Sequence, residues 1–180
     1  MTRMAFATRA TLATAFLSAL LVAGCTADSA KPESCPDALI MPELNSIALF
    51  PPGAEHKMQN VQLGAKMIAT SRSCEVAKGG VAVDVTIQLT VARSSLEIRQ
   101  TELTYVVAVV DINRTILNEQ RFTLPVVFTA NENFRPAVDK FTVRLPVKSV
   151  AAAGAYGILV GFQLTPEQLE FNRMLQQQQQ

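Results

Sequence analysis

The stretch from Val81 to Ala92 constrains the fold more than any other part of the chain. Val81, Val83, Val85, Ile87, Leu89 and Val91 fall on successive odd positions, with Ala82, Asp84, Thr86, Gln88, Thr90 and Ala92 between them. A helix would scatter six such residues around its axis, whereas a strand puts them all on one face. The segment is therefore a strand with one side on a core and the other toward solvent, the pattern of an antiparallel sheet.

The neighbouring sequence carries the same period. Val61, Leu63, Ala65 and Met67 begin a strand over 61–76, and Lys78-Gly79-Gly80 reads as the hairpin turn that joins it to the next strand. Residues 94–101 form a polar connection, and 103–112 are almost continuously apolar, as in a central strand. Asn113-Arg114 is a tight turn into a strand over 115–122, and Pro125 interrupts 124–128. After a second polar connection, 129–136, Phe141, Val143, Leu145 and Val147 alternate with polar residues. Ala151 to Gly154 reads as a loop of small residues, and Tyr156, Ile158, Val160, Phe162 and Leu164 alternate once more. Upstream, residues 35–53 are apolar but carry Pro36, Pro42, Pro51 and Pro52, a spacing that suits edge segments and excludes a central strand.

About seven strands with regular turns and no βαβ pattern predict an all-β fold, an antiparallel immunoglobulin-like β-sandwich spanning 35–165. A small β-barrel is the alternative. A short helix follows over 166–175. Thr165 is a good N-cap, Pro166 takes the first helical position, and Gln168 completes a capping box. Phe171 and Leu175 are placed to dock this helix over an open end of the sandwich. Gln176 to Gln180 is a low-complexity tail, expected to be disordered.

The residues that carry chemistry are few. With one histidine and no tryptophan in 180 residues, and no G-x-S-x-G, HExxH or phosphate-cradling glycine loop, the chain offers no catalytic constellation. His56 is expected to be an exposed loop residue, with Glu55 beside it. Asp84 and Asp111 lie on different strands, and a hydrolase would need such carboxylates to converge. No enzymatic role, metal or other cofactor is expected. A formal charge of +1 excludes a polyanion-binding excess, so nucleic acid is not an expected partner.

One surface stands out. Lys140, Arg144 and Lys148 recur every four residues along a strand, with Thr142 between the first two. At about 3.3 Å per residue, successive charges stand roughly 13 Å apart on one outward face. That spacing suits an extended anionic polymer or a partner surface. It equally suits a solvated face or an edge guarded against aggregation.

The amino terminus sets the compartment. Arg3 and Arg9 precede an apolar run, Ala10 to Val22, which ends in Val22-Ala23-Gly24-Cys25. A run this short reads as a secretory signal, with an uncleaved signal anchor as the alternative. The leader resembles those of bacterial lipoproteins, whose lipobox is a branched apolar residue, two small residues and a cysteine. The resemblance implies a diacylglyceryl group on the Cys25 sulfur, removal of residues 1–24, and a further acyl chain such as palmitate on the new amino terminus. One acyl chain binds a membrane marginally, while two or three hold firmly. Residues 25–34 then form a polar membrane tether. Thr26 is not the aspartate that retains such proteins in the inner membrane, which favours the periplasmic face of the outer membrane and leaves the inner membrane open.

Assigning Cys25 to lipid leaves Cys35 and Cys74. In the oxidising periplasm the default for such a pair is a disulfide. It would close a 40-residue loop, contribute roughly 4 kcal/mol in the chain-entropy model, and staple the N-terminal segment onto the strand over 61–76. Metal or thiol chemistry at the two cysteines is the weaker alternative, since no CxxC motif or nearby histidine accompanies them. The expected function is a lipid-anchored, non-catalytic interaction or assembly module with an envelope protein partner. A binding module for an anionic envelope glycan or lipid is the second reading, and a hydrolase, which no motif supports, is the third.

Overall fold

The computed structural model describes residues 35–178. The leader, Cys25, the tether over 25–34 and the last two glutamines lie outside the described residues.

Eight strands make two four-stranded sheets. In chain order they are β1 (Asp37–Ile40), β2 (Ser46–Leu49), β3 (Leu63–Ala77), β4 (Gly80–Arg93), β5 (Gln100–Val110), β6 (Ile116–Val127), β7 (Phe134–Leu145) and β8 (Gly157–Phe162). One sheet runs β2-β3-β4-β7 and the other β1-β8-β5-β6. Every pairing is antiparallel except that of β1 with β8. This is the expected β-sandwich, and the sheets do not close into the alternative barrel. The consecutive strands β3 and β4 are hairpin partners within one sheet.

The odd-numbered ladder of β4 forms the floor of the core. Val81, Val83, Val85, Ile87, Leu89 and Val91 are all buried, facing Leu103, Tyr105, Ile158, Val160 and Phe162 of the other sheet. Each such side chain contributes roughly 1.5–3 kcal/mol by leaving water. The hairpin between β3 and β4 turns at Lys78-Gly79 as expected, with Gly79 at φ 88° and Gly80 at φ 146°. A Cβ on Gly80 would overlap the Leu145 carbonyl, so only glycine fits there.

The proline-rich segment is indeed peripheral. It forms two short edge strands, β1 in one sheet and β2 in the other, joined by a 3₁₀ turn at Pro42–Leu44. The strand over 61–76 is accordingly third in the chain. A bulge at Ile68 reverses its alternation, so that Thr70, Arg72 and Cys74 share the core-side face of β3 with the pairs of Ile87, Val85 and Val83. Each of the three then holds the segment around β1. Thr70 Oγ1 donates to the Ala38 carbonyl at 2.7 Å, Arg72 pairs with Asp37, and Cys74 is disulfide-bonded to Cys35, with Cα atoms 5.8 Å apart.

Five details differ from expectation. β5 begins at Gln100 and β7 at Phe134, which shortens both polar connections. β6 continues through Pro125, which an edge strand tolerates because one of its sides needs no N–H donor. The small-residue loop contains one helical turn, α1 (Val150–Ala153), whose N-cap Ser149 accepts from the Ala152 amide. The terminal helix α2 runs from Pro166 to Gln177, so Gln176 and Gln177 are helical, not part of a disordered tail. Gln176 has a reason to be ordered, since its amide donates to the Pro42 carbonyl at 3.0 Å.

Two polar groups inside the sandwich went unmarked in the sequence. Arg93 is buried where β4 ends, with its guanidinium 4.7 Å above the Phe128 ring. It donates to the carbonyls of Glu132, Leu96, Ile98, Thr129 and Ala130, tying together the connections on either side. The second is Tyr105, stacked on Phe122 at 5.3 Å, with Phe141 5.1 Å beyond. These three rings, from β5, β6 and β7, fill the gap between the sheets on that side.

Two outcomes follow. Arg93→Lys keeps the charge but cannot reach both connections with one planar fork; it should lower the unfolding free energy by about 2–3 kcal/mol in denaturant titration. A loss under about 0.5 kcal/mol would contradict the clamp. Burial, reinforced by a 2.7 Å hydrogen bond to the Asp139 carboxylate, pushes the Tyr105 hydroxyl far above the usual phenol range. A raised pKa favours the protonated fold, so this contribution is full below about pH 10, where the unfolded phenol titrates, and is lost above it. Ultraviolet titration should show a tyrosine that ionises only as the fold opens, and Tyr105→Phe should remove that component.

Candidate functional site

A sandwich has four outermost strands, and how each is finished decides what the molecule can bind. β2 and β1 lie on one side, β6 and β7 on the other.

The β2 edge is sealed by α2. Asn45 and Leu49 give their carbonyls to the Met67 and Gln62 amides on the β3 side, so Ser46 and Ala48 point their carbonyls away from the sheet. Asn172 donates to the Ser46 carbonyl at 2.8 Å and to that of Glu43 at 3.1 Å, and Gln168 donates to the Ala48 carbonyl at 3.0 Å. The geometry matches, because four residues along a helix rise about 6 Å, nearly the spacing of two residues along a strand. Arg173 adds an ion pair to Glu43, whose carboxyl is held below the usual range by that hydrogen bond. The expected capping box at Thr165 and Gln168 is present. The expected docking over an open end is not: Phe171 packs edge-on against Phe50 at 5.2 Å, and Leu175 lines a small apolar groove with Ala48, Gly64 and Met58. The helix thus lies along the β2 edge and the outer surface of its sheet.

The other side is open. β6 and β7, each 12 residues long, both lack an outer neighbour among the described residues. β7 is guarded by charge, with Arg135, Asp139, Lys140 and Arg144, and carries Pro136 near its start. The first half of β6 carries one ion pair, Arg121 with Glu119 at 3.5 Å, and no proline. Ile116, Leu117 and Asn118 through Arg121 are exposed, including Asn118 and Gln120, which pair with Val109 and Val107 on the core-facing side. This half of β6 overhangs the core instead of packing on it.

The Lys140 face is assembled only in part. Lys140, Thr142 and Arg144 are exposed on β7 and share one outward face, opposite Thr86, Asp84 and Ala82. Since β7 ends at Leu145, Lys148 lies in the following connection and not on the strand. Lys140 and Thr142 border a shallow depression of about 500 Å³ with Ser71, Ser73, Asp84 and Thr86. Thr142 Oγ1 donates to the Asp84 carboxylate at 2.6 Å. That carboxylate sits among the cations, so the surface is mixed in sign and rich in hydroxyls.

Catalytic convergence is absent among the described residues. Asp84 lies on the outer face of one sheet and Asp111 in a turn of the other, where its carboxylate accepts from the Asn113 and Thr115 amides. His56 is exposed, tilted against the Phe50 ring at 4.4 Å. It borders an open surface groove with Glu167, Glu170 and Arg173. The Glu167 carboxyl is held low by its own backbone amide, then by the Thr165 hydroxyl and the imidazole. No nucleophile stands with this pair. Among the described residues, no cluster of three or more His, Cys, Asp or Glu forms a metal site, and no helix is long and apolar enough to cross a membrane.

No protein-family model, curated protein or solved structure matches the chain.

Sequence reasoning identified the capping box but missed Asn172 four residues on from Gln168, a spacing that puts both amides on one helix face. Asn172→Ala should cost about 1–3 kcal/mol, because it leaves the Ser46 carbonyl buried without a donor. Chemical denaturation measures this, and hydrogen exchange should show α2 and β2 loosening together. An unchanged midpoint would argue against the seal.

Proposed function

We propose that the protein is a lipid-anchored, non-catalytic interaction module of the bacterial cell envelope, exported by its leader, held at Cys25 on the periplasmic face of the outer membrane, and joined by a partner protein that adds a strand along β6. The observation that carries this reading is the contrast between the two sides of the sandwich. One side is closed by a disulfide, a side-chain ladder to β1 and a helix across β2. On the other, β6 has no outer neighbour among the described residues, with the exposed apolar residues Ile116 and Leu117 at its start. Strand addition takes its affinity from main-chain hydrogen bonds and needs an edge of this kind. The lipobox resemblance and the Cys35–Cys74 bridge, which suits an oxidising compartment, support the location.

A second reading has its own support. The hydroxyl-lined depression around Lys140, Thr142 and Asp84 could take an envelope glycan. Its mixed charge favours a polar sugar over a purely anionic polymer.

Gln120→Lys separates these readings. It places a charge on the core-facing side of an edge strand, a device that blocks strand addition, at a position already exposed. Affinity purification from membranes, with Cys25 intact, should yield a reproducible protein partner for the native chain and lose it for Gln120→Lys, with stability unchanged within about 0.5 kcal/mol. Capture of the same protein by the variant would overturn the β6 reading, and copurification of glycan in its place would favour the second.

A further inference from the structure

The sandwich has two poles, and they are chemically different. Strand register puts the β3–β4 hairpin, the end of β5, the start of β6, and the connection from β7 to β8 at one pole. Cys35 is fastened there through Cys74. The opposite pole carries the connections clamped by Arg93.

The Cys35 pole displays apolar side chains at its tips. Ile112 is 82% exposed, Val76 65% and Ile116 59%. Ile112 heads the β5–β6 turn, which is rigid: the Asp111 carboxylate accepts from two of its amides, and the Arg114 amide donates to the Asp111 carbonyl at 3.0 Å. Arg114 holds φ 63° in that turn, where glycine would be strain-free. Lys78 tops the other hairpin, and Lys148 lies in the adjacent connection. All three cations are exposed, and none makes an ion pair among the described residues.

We infer that this pole is a membrane-contacting surface. Ile112 and Val76 enter the interfacial region of the bilayer, and Lys78, Arg114 and Lys148 meet the anionic headgroups of phospholipids. The inference rests on the proposed anchor at Cys25, and the chain between anchor and fold argues for this occupant. Only nine residues, 26–34, separate Cys25 from Cys35. The ten residue steps from Cys25 to Cys35 span at most about 33–36 Å. The staple therefore delivers this pole, and not the other, to the lipid surface. Lys78, Arg114 and Lys148 outnumber the acidic groups at this pole, the exposed Glu75 and the turn-bound Asp111, and apolar tips with an excess of cations suit interfacial binding. Docked this way, the module would hold α2 and the Arg93 pole toward the periplasm.

The test uses a probe that the chain makes convenient, since it contains no tryptophan. The full chain is purified from membranes and reconstituted with phosphatidylethanolamine and phosphatidylglycerol vesicles carrying brominated acyl chains. Ile112→Trp should show blue-shifted emission and strong quenching, whereas Leu96→Trp at the opposite pole should show neither. Adding Lys78→Glu, Arg114→Glu and Lys148→Glu to the first probe should reduce its quenching to the Leu96→Trp level. If the chain floats with the vesicles but Ile112→Trp is quenched no more than Leu96→Trp, the inference is overturned and the anchor stands. If the intact mass shows an unmodified Cys25, the anchor reading fails and the inference falls with it.

Discussion

A two-layer sheet buries its faces but not its margins, and the unpaired amides along those margins govern the rest of this molecule. The faces are settled by β4, whose six odd-numbered apolar residues bury against β5 and β8. Each margin then needs its own device. On one side the bulge at Ile68 turns Thr70, Arg72 and Cys74 toward β1, and an asparagine and a glutamine of α2 satisfy the outward carbonyls of β2. On the other, three stacked aromatic rings fill the gap between the sheets, while β6 and β7 have no outer neighbour among the described residues.

This asymmetry explains which parts of the structure were legible in the sequence. Alternation is a local signal, so β4 could be read residue by residue and β7 and β8 through their central residues, and the proline spacing correctly marked residues 35–53 as edge segments. The capping box of α2 was equally local. Nothing local marks a bulge, so the reversal at Ile68, which creates the β1 ladder, was invisible. Arg93 looks like any strand-ending arginine until the fold brings five carbonyls around it. The Lys140 face was legible as a period but not as a surface. Only the register of β4 against β7 puts Asp84 among its cations, and only the end of β7 removes Lys148 from the strand. His56 was read correctly as exposed, but its tilted contact with Phe50 depends on packing that sequence does not record.

The functional account joins two of these features. A disulfide that fixes the start of the fold to one pole orients the domain relative to anything attached upstream of Cys35. An edge left open on the side away from β1 gives that oriented domain somewhere to receive a partner. Rigidity matters to both, because a preorganised edge binds without first losing conformational freedom.

The central claim is that β6 is open in the isolated protein and closed in its working complex. Amide hydrogen exchange along Ile116–Arg121 tests this most directly, compared between the purified chain and the assembly isolated with it from the envelope. The account expects rapid exchange at alternate outward amides of the free protein and slow exchange at the same amides in the assembly, with α2 and β2 protected in both. Slow exchange throughout β6 in the free protein, or equal exchange in the two samples, would contradict it.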